Sequence, residues 1–513
     1  VKRREVIKTL GVGVTASLVL PAWLSSCSKD EEAGPEVKYD GIVGIVGAGA
    51  AGLAVADYLI AKGIKVKIFE ASGRVGGRIA SVRQSDPIFN ELAADFHVEL
   101  GADRIFGTDS EMGNVLKLLK VPTTKFYESP TNAADYYIIN SEYLNQAEAE
   151  MRSDFLSLKA FKETGLAAYT GGGSVQTAAG ASAEMQGILN SWFGNAYGST
   201  ANNIGANALG EALALISHDK KQFMLTANPI SDVLTSKYEN ALQKVNLNRA
   251  VKSVDYTGDT INLTIRNTKD NTETTEVVTK LVVTSPVPVL KDSSLISFSP
   301  SLPSAKINAL NRIGMDATMR IIIEFTRNDF FIKPEDGNLP AFIYGGEVCP
   351  SYFFSGAGRS ELNRTVSVTI NGPKAKEYSD LLGDLPEAGY NPATVKVILN
   401  EILAEMDVVF DGKASINIRK TIPDTPEEEA TIISVIKDWT RVPYILGGQS
   451  YPMVDGTNED RVELAAPIDQ KIFFAGEATD ITGEFGTISG ALKSGERAAE
   501  EVVAAILEEN SAP

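Results

Sequence analysis

The sequence of 513 residues has only two cysteines and two histidines. Two cysteines exclude a disulfide framework. Two histidines argue against a histidine-based metal site and against a Ser-His-Asp triad, so no metal is expected. Positive charge is also scarce, with 48 Lys and Arg against 66 Asp and Glu and a net charge of -18. Such a surface repels nucleic-acid phosphates and broad anionic membrane, and neither is expected as a partner. The acidity is read as serving solubility. Leu10 to Leu24 is largely apolar but too short to span as a normal membrane helix. The chain is too long for one core, so two or more domains are expected. Whatever chemistry occurs must come mostly from a cofactor.

What is present begins with an N-terminal segment that is not part of the fold. Lys2, Arg3 and Arg4 precede the apolar stretch, and Arg3-Arg4 with Val6-Ile7-Lys8 resembles a twin-arginine export signal. Leu24-Ser25-Ser26-Cys27 resembles a bacterial lipobox, cleaved before Cys27 and lipidated on its sulfur. The expectation is an export and lipoprotein signal over 1–27 and a tether over 28–39. The protein would be exported and membrane-anchored, on the periplasmic or cell-surface side, and would touch membrane only through a lipidated Cys27. Cys349 would then be the only thiol left.

Gly41 to Glu70 holds a complete strand–turn–helix–strand unit. Ile42 to Val46 is an apolar run suited to a buried parallel strand. Gly47, Gly49 and Gly52 follow in G-x-G-x-x-G spacing, with Ala51 inside the same turn. The first glycine permits the turn, the second lets backbone approach a phosphate, and the third lets helix pack on strand. Val66 to Phe69 is the second strand. Glu70 ends it with a carboxylate that can accept hydrogen bonds from a ribose diol. The unit binds a dinucleotide, and by itself does not separate NAD from FAD.

Further along, Gly73 to Val82 is a glycine- and arginine-rich loop, and Phe96 to Gly107 reads as a strand and a turn. Ser110 to Tyr238 reads as mainly helical, with a flexible interruption at Thr170 to Ala183. Val245 to Leu290 reads as strands, with a polar hairpin tip at Asp270 to Thr275. Ala317 to Phe325 and Arg364 to Ile370 are further strands, and Thr394 to Met406 is a helix. Glu427 to Glu429 is a short acidic patch. Lys471 to Asp480 returns to a buried strand ending at a glycine, and a helix from about Ile488 to Glu509 follows. The opening unit and this last one are expected in one sheet, with a second domain inserted.

Several segments together resemble the flavin-dependent amine oxidase family, which includes monoamine, polyamine and L-amino-acid oxidases. They are the fingerprint with Glu70, Gly73-Arg74-Val75-Gly76-Gly77-Arg78, "ELGADRI", "VVTSPVPVL", Trp439-x-x-x-Pro443-x-x-x-Gly447-Gly448, and "FFAGEATD" with "GTISGALKSGERAA". The resemblance implies FAD and an α/β fold, with a Rossmann-like FAD-binding domain and a discontinuous α+β substrate domain. The expected FAD-binding parts are 40–109, 245–300 and 455–513. A helical substrate-domain region over 110–244 and a sheet region over 301–454 make up the rest. Gly76 and Gly77 would let backbone approach a second phosphate, and Arg78 would neutralise charge there. Gly476 and Glu477 would lie near the ribityl-phosphate, and Thr487 and Ile488 would open a helix facing the pyrimidine end of the flavin. Gly101 and Ala102 would lie along the flavin, and Val251 would contact the adenine through its backbone or serve simply as strand core.

The family removes the equivalent of a hydride from a carbon bearing an amine, and the imine released is hydrolysed by water. Oxygen usually reoxidises the flavin. The substrate expected here is a small-molecule amine or L-amino acid. Four details depart from the family or refine the match. Gln449 follows Gly447-Gly448 where monoamine oxidases carry a flavin-linked cysteine, so FAD is expected to be non-covalent. Ser450 and Thr487 occupy the positions of the two tyrosines that sandwich the amine, with Tyr451 one residue away as a substitute. Arg320 stands where the family often has a lysine that positions water, serving either that catalytic place or a structural ion pair. Arg104 resembles the carboxylate-binding arginine of amino-acid oxidases, or else pairs with Glu99, Asp103 or the flavin environment. Trp439 would pack near the flavin face or serve as a large core residue. Two other readings stay open: a flavin desaturase or dehydrogenase acting on an apolar non-amine substrate and passing electrons to a quinone, and a non-catalytic FAD-binding lipoprotein.

Overall fold

The computed structural model describes residues 37–82, 92, 94, 96–125, 133–219, 221–360, 363–384, 389–422 and 429–511. The export signal, Arg3, Arg4, Cys27, most of the tether and Glu427-Glu428 lie outside the described residues. Among the described residues no helix is long and apolar enough to cross a membrane, and no cluster of His, Cys, Asp or Glu could hold a metal ion.

Three segments distant in sequence build one parallel sheet of five strands. Its order is Val245–Asn246, Lys65–Phe69, Ile42–Val46, Lys280–Val283 and Ile472–Phe474. Val43 and Ile45 are fully buried, as a strand covered on both faces requires. Helix Ala50–Ala61 crosses between the first two strands. Helix Ile488–Ser511 lies against it so closely that a methyl group on Gly495 would come 2.6 Å from the Ala51 carbonyl. On the other side packs a four-stranded sheet ordered Glu273–Val278, Ile261–Asn267, Arg249–Asp255 and Ser297–Ser299. Val251, Val254, Leu263 and Val283 fill the core between the two sheets.

A seven-stranded sheet carries the rest. Its order is Ser434–Asp438, Thr318–Glu324, Thr365–Asn371, Ser351–Phe354, Leu339–Tyr344, Ala133–Ile139 and Glu142–Asn145. One face is apolar throughout, with Met319, Ile321, Ile323, Val366, Val368, Ile370 and Tyr136, and helix Pro392–Val409 covers it. Ile398, Leu399, Ile402, Leu403 and Met406 are the buried stripe of that helix, at the spacing that puts residues on one helical face. The other face carries Arg320, Ser367, Phe353, Phe342 and Asp135 across successive strands.

The structure departs from the sequence reading in three places. The region 110–238 holds more helix than strand, as read, but it also includes strands Thr123–Lys125, Ala133–Ile139, Glu142–Asn145 and Gln222–Leu225. Ala133–Ile139 pairs with Leu339–Tyr344, about two hundred residues away, and buries Tyr136 and Ile138 on one face and Tyr137 and Ile139 on the other, so no alternation marks it in the sequence. Within Thr170 to Ala183, Val175–Ala179 is a helix whose Ser174 side chain caps it. The strand of "KLVVTSPVPVL" stops at Val283, and Val287–Lys291 is helical. Proline in a first helical turn loses no hydrogen bond there.

Candidate active site

Two glycine turns meet at the C-terminal end of the parallel sheet. Gly47 has φ +101° and its N–H donates to the Phe69 carbonyl at 2.8 Å. A methyl group on Gly52 would lie 2.0 Å from the Gly47 carbonyl oxygen, so only glycine lets the helix start there. The second turn seats on the first: the Gly76 N–H donates to Ala48 at 2.9 Å, and Gly49 and Gly76 form a parallel bridge. Gly76 and Gly77 both have positive φ. Arg74 ties this turn with bonds to Val75, Ile79 and Gly77 carbonyls.

The cradle between the turns is open. Nothing lies within 4 Å of where a Gly49 side chain would begin, and helix Ala50–Ala61 has no side-chain cap. Uncapped helical N–H groups beside glycine backbone fit a pyrophosphate. Glu70 stands behind, its Oε2 accepting the Ala48 N–H and its Oε1 accepting the Ser72 N–H and hydroxyl. The next segment is laced to it, since Arg249 N–H donates to Glu70 and Asn248 N–H to Ser72. This sets the Val251 strand beside the acid, with a break in its ladder register between Val251 and Ser253. The Val251 side chain is buried between the sheets.

A buried ion cluster forms the second layer. Glu477 Oε1 accepts from Arg78 at 2.7 Å and from the Ser450 N–H at 3.3 Å. Its Oε2 accepts the Ser450 hydroxyl at 2.6 Å and the Gly486 N–H at 2.7 Å. Burial raises the carboxyl, but Arg78, Arg461 and Ser450 outweigh it and hold it below its ordinary value. Arg78 also reaches the Gly448 carbonyl. Arg461 donates to Ser450 and Ala478 and lies 3.9 Å from the Phe485 ring centre. Burial lowers it to about 10, against the pull of Glu477, Asp480 and Asp460. Gly476 has φ +118° and is fixed by Ser494. Thr487 caps the final helix by accepting the Gly490 N–H, and Ile488 beside it is core.

The floor comes from "ELGADRI" and the seven-stranded sheet. A methyl group on Gly101 would sit 1.8 Å from the Arg78 carbonyl and 3.2 Å from the Trp439 ring. Ala102 N–H donates to Arg78, and Trp439 Nε1 donates to Leu100 at 2.7 Å. Arg320 is buried and fully engaged: Nη1 bonds Asp103 at 2.7 Å and Ser367 at 2.8 Å, and Nη2 bonds Gly101 at 2.9 Å. Burial raises the Asp103 carboxyl, but Arg320 and Arg104 together hold it well below the usual carboxylate range. Arg104 is shared between Asp103, Gln222 and the faces of Phe342 and Phe353.

The two positions expected to lack an aromatic sandwich are both taken by polar bonding. Ser450 belongs to the Glu477 cluster and Thr487 to the helix cap. Tyr451 is held by its neighbours: its hydroxyl donates to Asp316 at 2.8 Å and Ser199 bonds the other oxygen of that carboxylate. Gln449 bonds the Ala196 carbonyl and covers Gly486. Three groups escaped sequence reasoning. Arg461 and Asp316 find partners only in the folded chain, and nothing in their neighbourhoods signals it. Asp135 lies within the strand Ala133–Ile139, whose burial on both faces leaves no alternation to mark it.

Glycine turns built around an open pyrophosphate cradle, with a floor of Gly101 and Trp439 over a sheet face bearing ions and rings, define an FAD-dependent oxidoreductase. The profile of the family described as flavin containing amine oxidoreductase matches residues 50–186 and 228–503, and the chain belongs to that family. It is 25% identical over 525 residues to a Homo sapiens lysine-specific histone demethylase 2, covering 93% of this chain but 55% of the relative, so it spans about half that protein's length. It is 24% identical over 546 residues to an L-amino-acid oxidase of Bothrops moojeni, covering 96% of this chain and 99% of the relative. In fold it is similar to a putrescine oxidase bound to putrescine, with TM-score 0.68, 18% identity and coverage of 90% and 99% of the two chains. A cyclohexylamine oxidase from Brevibacterium oxydans gives TM-score 0.66 at 18% identity, with 93% and 100% covered.

Proposed function

We propose that this chain oxidises the C–N bond of a small-molecule amine, with FAD held non-covalently and oxygen as acceptor. The observation that carries the reading is the meeting of the open glycine cradle with the Gly101–Trp439 floor and the ring-bearing face of the large sheet. Gly47, Gly49, Ala51 and Gly52 would receive the pyrophosphate, with Glu70 at the ribose. Gly76, Gly77, Arg78, Gly476 and Glu477 would line the ribityl side. When bound, the flavin accepts the equivalent of a hydride from the carbon next to nitrogen, and the resulting imine is hydrolysed by water. The chain positions that carbon, keeps the pocket apolar and excludes water through Trp439 and its neighbours. Arg104 is engaged by Asp103 and Gln222 and so is not held open for an α-carboxylate, which favours amines over amino acids.

An anaerobic titration of the yellow protein with amines and L-amino acids tests this. Bleaching by amines supports the reading. Bleaching by amino acids alone, lost in Arg104→Ala, replaces it with an amino-acid oxidase. Release of the yellow colour into the supernatant after acid precipitation is expected of non-covalent FAD.

A second reading concerns the acceptor. Arg320 cannot deprotonate, and its guanidinium is taken up by Asp103, Ser367 and Gly101. Without a lysine ammonium to order water, oxygen would react slowly and a quinone would serve instead. Comparing reoxidation by air and by a soluble quinone decides between them. Export and anchoring through Cys27 belong to the same proposal and rest on residues 1–27. Replacing Arg3 and Arg4 with Lys should abolish export.

A further inference from the structure

Glu99 is only 5% exposed, and His97 beside it 7%. His97 is one of two histidines in the chain, and neither residue enters the reaction proposed above. Several elements converge on the pair. Glu99 Oε1 accepts the Ile230 N–H at 2.9 Å, at the start of helix Ile230–Lys237, whose N-cap Pro229 offers no side-chain bond. Oε2 is bonded to the Ser81 hydroxyl across the short antiparallel pair of Ser81–Val82 with Val98–Glu99. His97 Nε2 lies 3.5 Å from Oε1 and 3.2 Å from Arg359 Nη1. Arg359 is fixed by the Ser355 and Leu225 carbonyls and lies 4.5 Å from the Phe96 ring centre.

The donors fix the protons. A guanidinium only donates, so Nε2 accepts from Arg359 and the imidazole is neutral. Glu99 Oε1 therefore faces a lone pair, which opposes a negative charge there. The Ser81 hydroxyl can donate or accept, so Oε2 keeps its bond with or without a proton. The charged groups around Glu99 are Arg359 on the loop after strand Ser351–Phe354, Asp103 on its own segment, and Asp232 in the first turn of helix Ile230–Lys237. Burial raises the carboxyl to about 7, with the Ile230 N–H, Ser81 and Arg359 pulling it back and Asp103 adding to the rise. An ordinary glutamate is fully ionised at that pH. Glu99 is also wired to the floor of the site. The Leu100 carbonyl next to it accepts Trp439 Nε1 at 2.7 Å, and the Leu100 N–H donates to Ala80 at 2.8 Å. Gly101 follows, its carbonyl bonded by Arg320.

We propose that Glu99 is a positioning residue for this floor, acting through Leu100 and Trp439, and that its neutral and ionised forms hold the floor in two different arrangements. The effect on rate rests on the amine-oxidation reading; the effect on the bound flavin does not. Neutral Glu99 keeps the helix start, Ser81 and the Leu100–Trp439 bond together. When its proton leaves for solvent, the carboxylate is pushed by the Nε2 lone pair and drawn by the Arg359 guanidinium. The two-residue strand Val98–Glu99 has only Ser81–Val82 as a ladder partner to resist this. The displacement reaches Leu100 and loosens its bond to Trp439. The floor is therefore best ordered while Glu99 carries its proton.

The test reads the oxidised, flavin-loaded protein without substrate, by flavin absorption and circular dichroism between about pH 5 and 9. Wild type should show one step at about 7. Glu99→Gln keeps both bonds but cannot ionise, so it should show no step and match the low-pH wild type throughout. His97→Gln puts an amide donor where the lone pair was, and should move the step down by about one pH unit. Asp135→Asn should keep the step, which separates Glu99 from that second raised carboxyl. With an amine as reductant, flavin reduction in Glu99→Gln should equal wild type below the step and run roughly five-fold faster above it. A flat wild-type spectrum, or a step that survives Glu99→Gln or vanishes in Asp135→Asn, overturns the proposal. Should Glu99→Gln take up no FAD, His97→Gln decides, and an unmoved step there overturns the proposal as well. A step lost in Glu99→Gln, in a protein that no amine bleaches, leaves the positioning role standing while the amine-oxidation reading fails.

Discussion

Arg320 and Ile321 are neighbours on the strand Thr318–Glu324, yet they lie on opposite faces of the seven-stranded sheet. Ile321 joins Met319, Val368 and Ile370 under helix Pro392–Val409. Arg320 faces the cofactor cradle with Ser367, Asp103 and the Gly101 carbonyl. Both residues are almost wholly buried, so burial alone does not tell chemistry from packing. What differs is the company: the Ile321 face is closed by rings and aliphatic chains, whereas the Arg320 face keeps charges, aromatic planes and an unpartnered carboxylate. The period of two along a strand gives each strand one residue for stability and the next for function.

The comparison breaks first at Arg320. Arg320→Met leaves Asp103 buried beside Arg104 alone, and the expected cost is about 3–5 kcal/mol in chemical denaturation, with a changed flavin spectrum. A smaller loss than that of Ile321→Ala would remove the distinction between the faces. Ile321→Ala should cost about 2–4 kcal/mol and leave flavin absorbance and KM as in wild type. A shifted KM there would mean that the covered face also shapes the site.

Acidity sharpens the comparison on the ring-bearing face. Asp135 is raised from 3.8 to about 6 by burial, partly offset by Lys162 and Arg104. The native state therefore keeps a proton that the unfolded chain has already lost between about pH 4 and 6. Its contribution to stability is present below that window and is lost as pH rises through about 6. Asp135→Asn should flatten this slope, read by chemical denaturation across pH. The smallest effect belongs to Lys437, whose ammonium lies 5.1 Å from the Trp439 ring centre. Lys437→Met should cost under about 1 kcal/mol and shift the flavin absorption maximum slightly.

Much of the cradle was legible because its requirements are local. Gly47, Gly52 and Gly76 answer to backbone angles and close approach within a few residues, and the acid at Glu70 sits at a fixed remove from them. The strand Ile42–Val46 and helix Ile488–Ser511 were legible from apolar pattern and flanking glycine. Arg78 and Glu477 were each placed near the cofactor only through resemblance to a family, and their pairing needed the fold, since 399 positions separate the two residues. Arg461, Asp316 and Asp135 were not legible, because an ionisable side chain carries no mark of the partner it will meet. Arg320 shows the same limit from the other side. Its departure from lysine was plain, but its engagement by Asp103 needed the fold.

The parallel sheet also dictates when the protein can become complete. Its central strand Ile42–Val46 is made long before its edge strand Ile472–Phe474, Glu477 and the Thr487 cap. A nascent chain still lacking them leaves Arg78 without its carboxylate and helix Ala50–Ala61 without the helix that covers it. Cofactor capture is thereby reserved for chains translated past helix Ile488–Ser511, and a transcript truncated before that helix yields an apoprotein rather than a weakened enzyme.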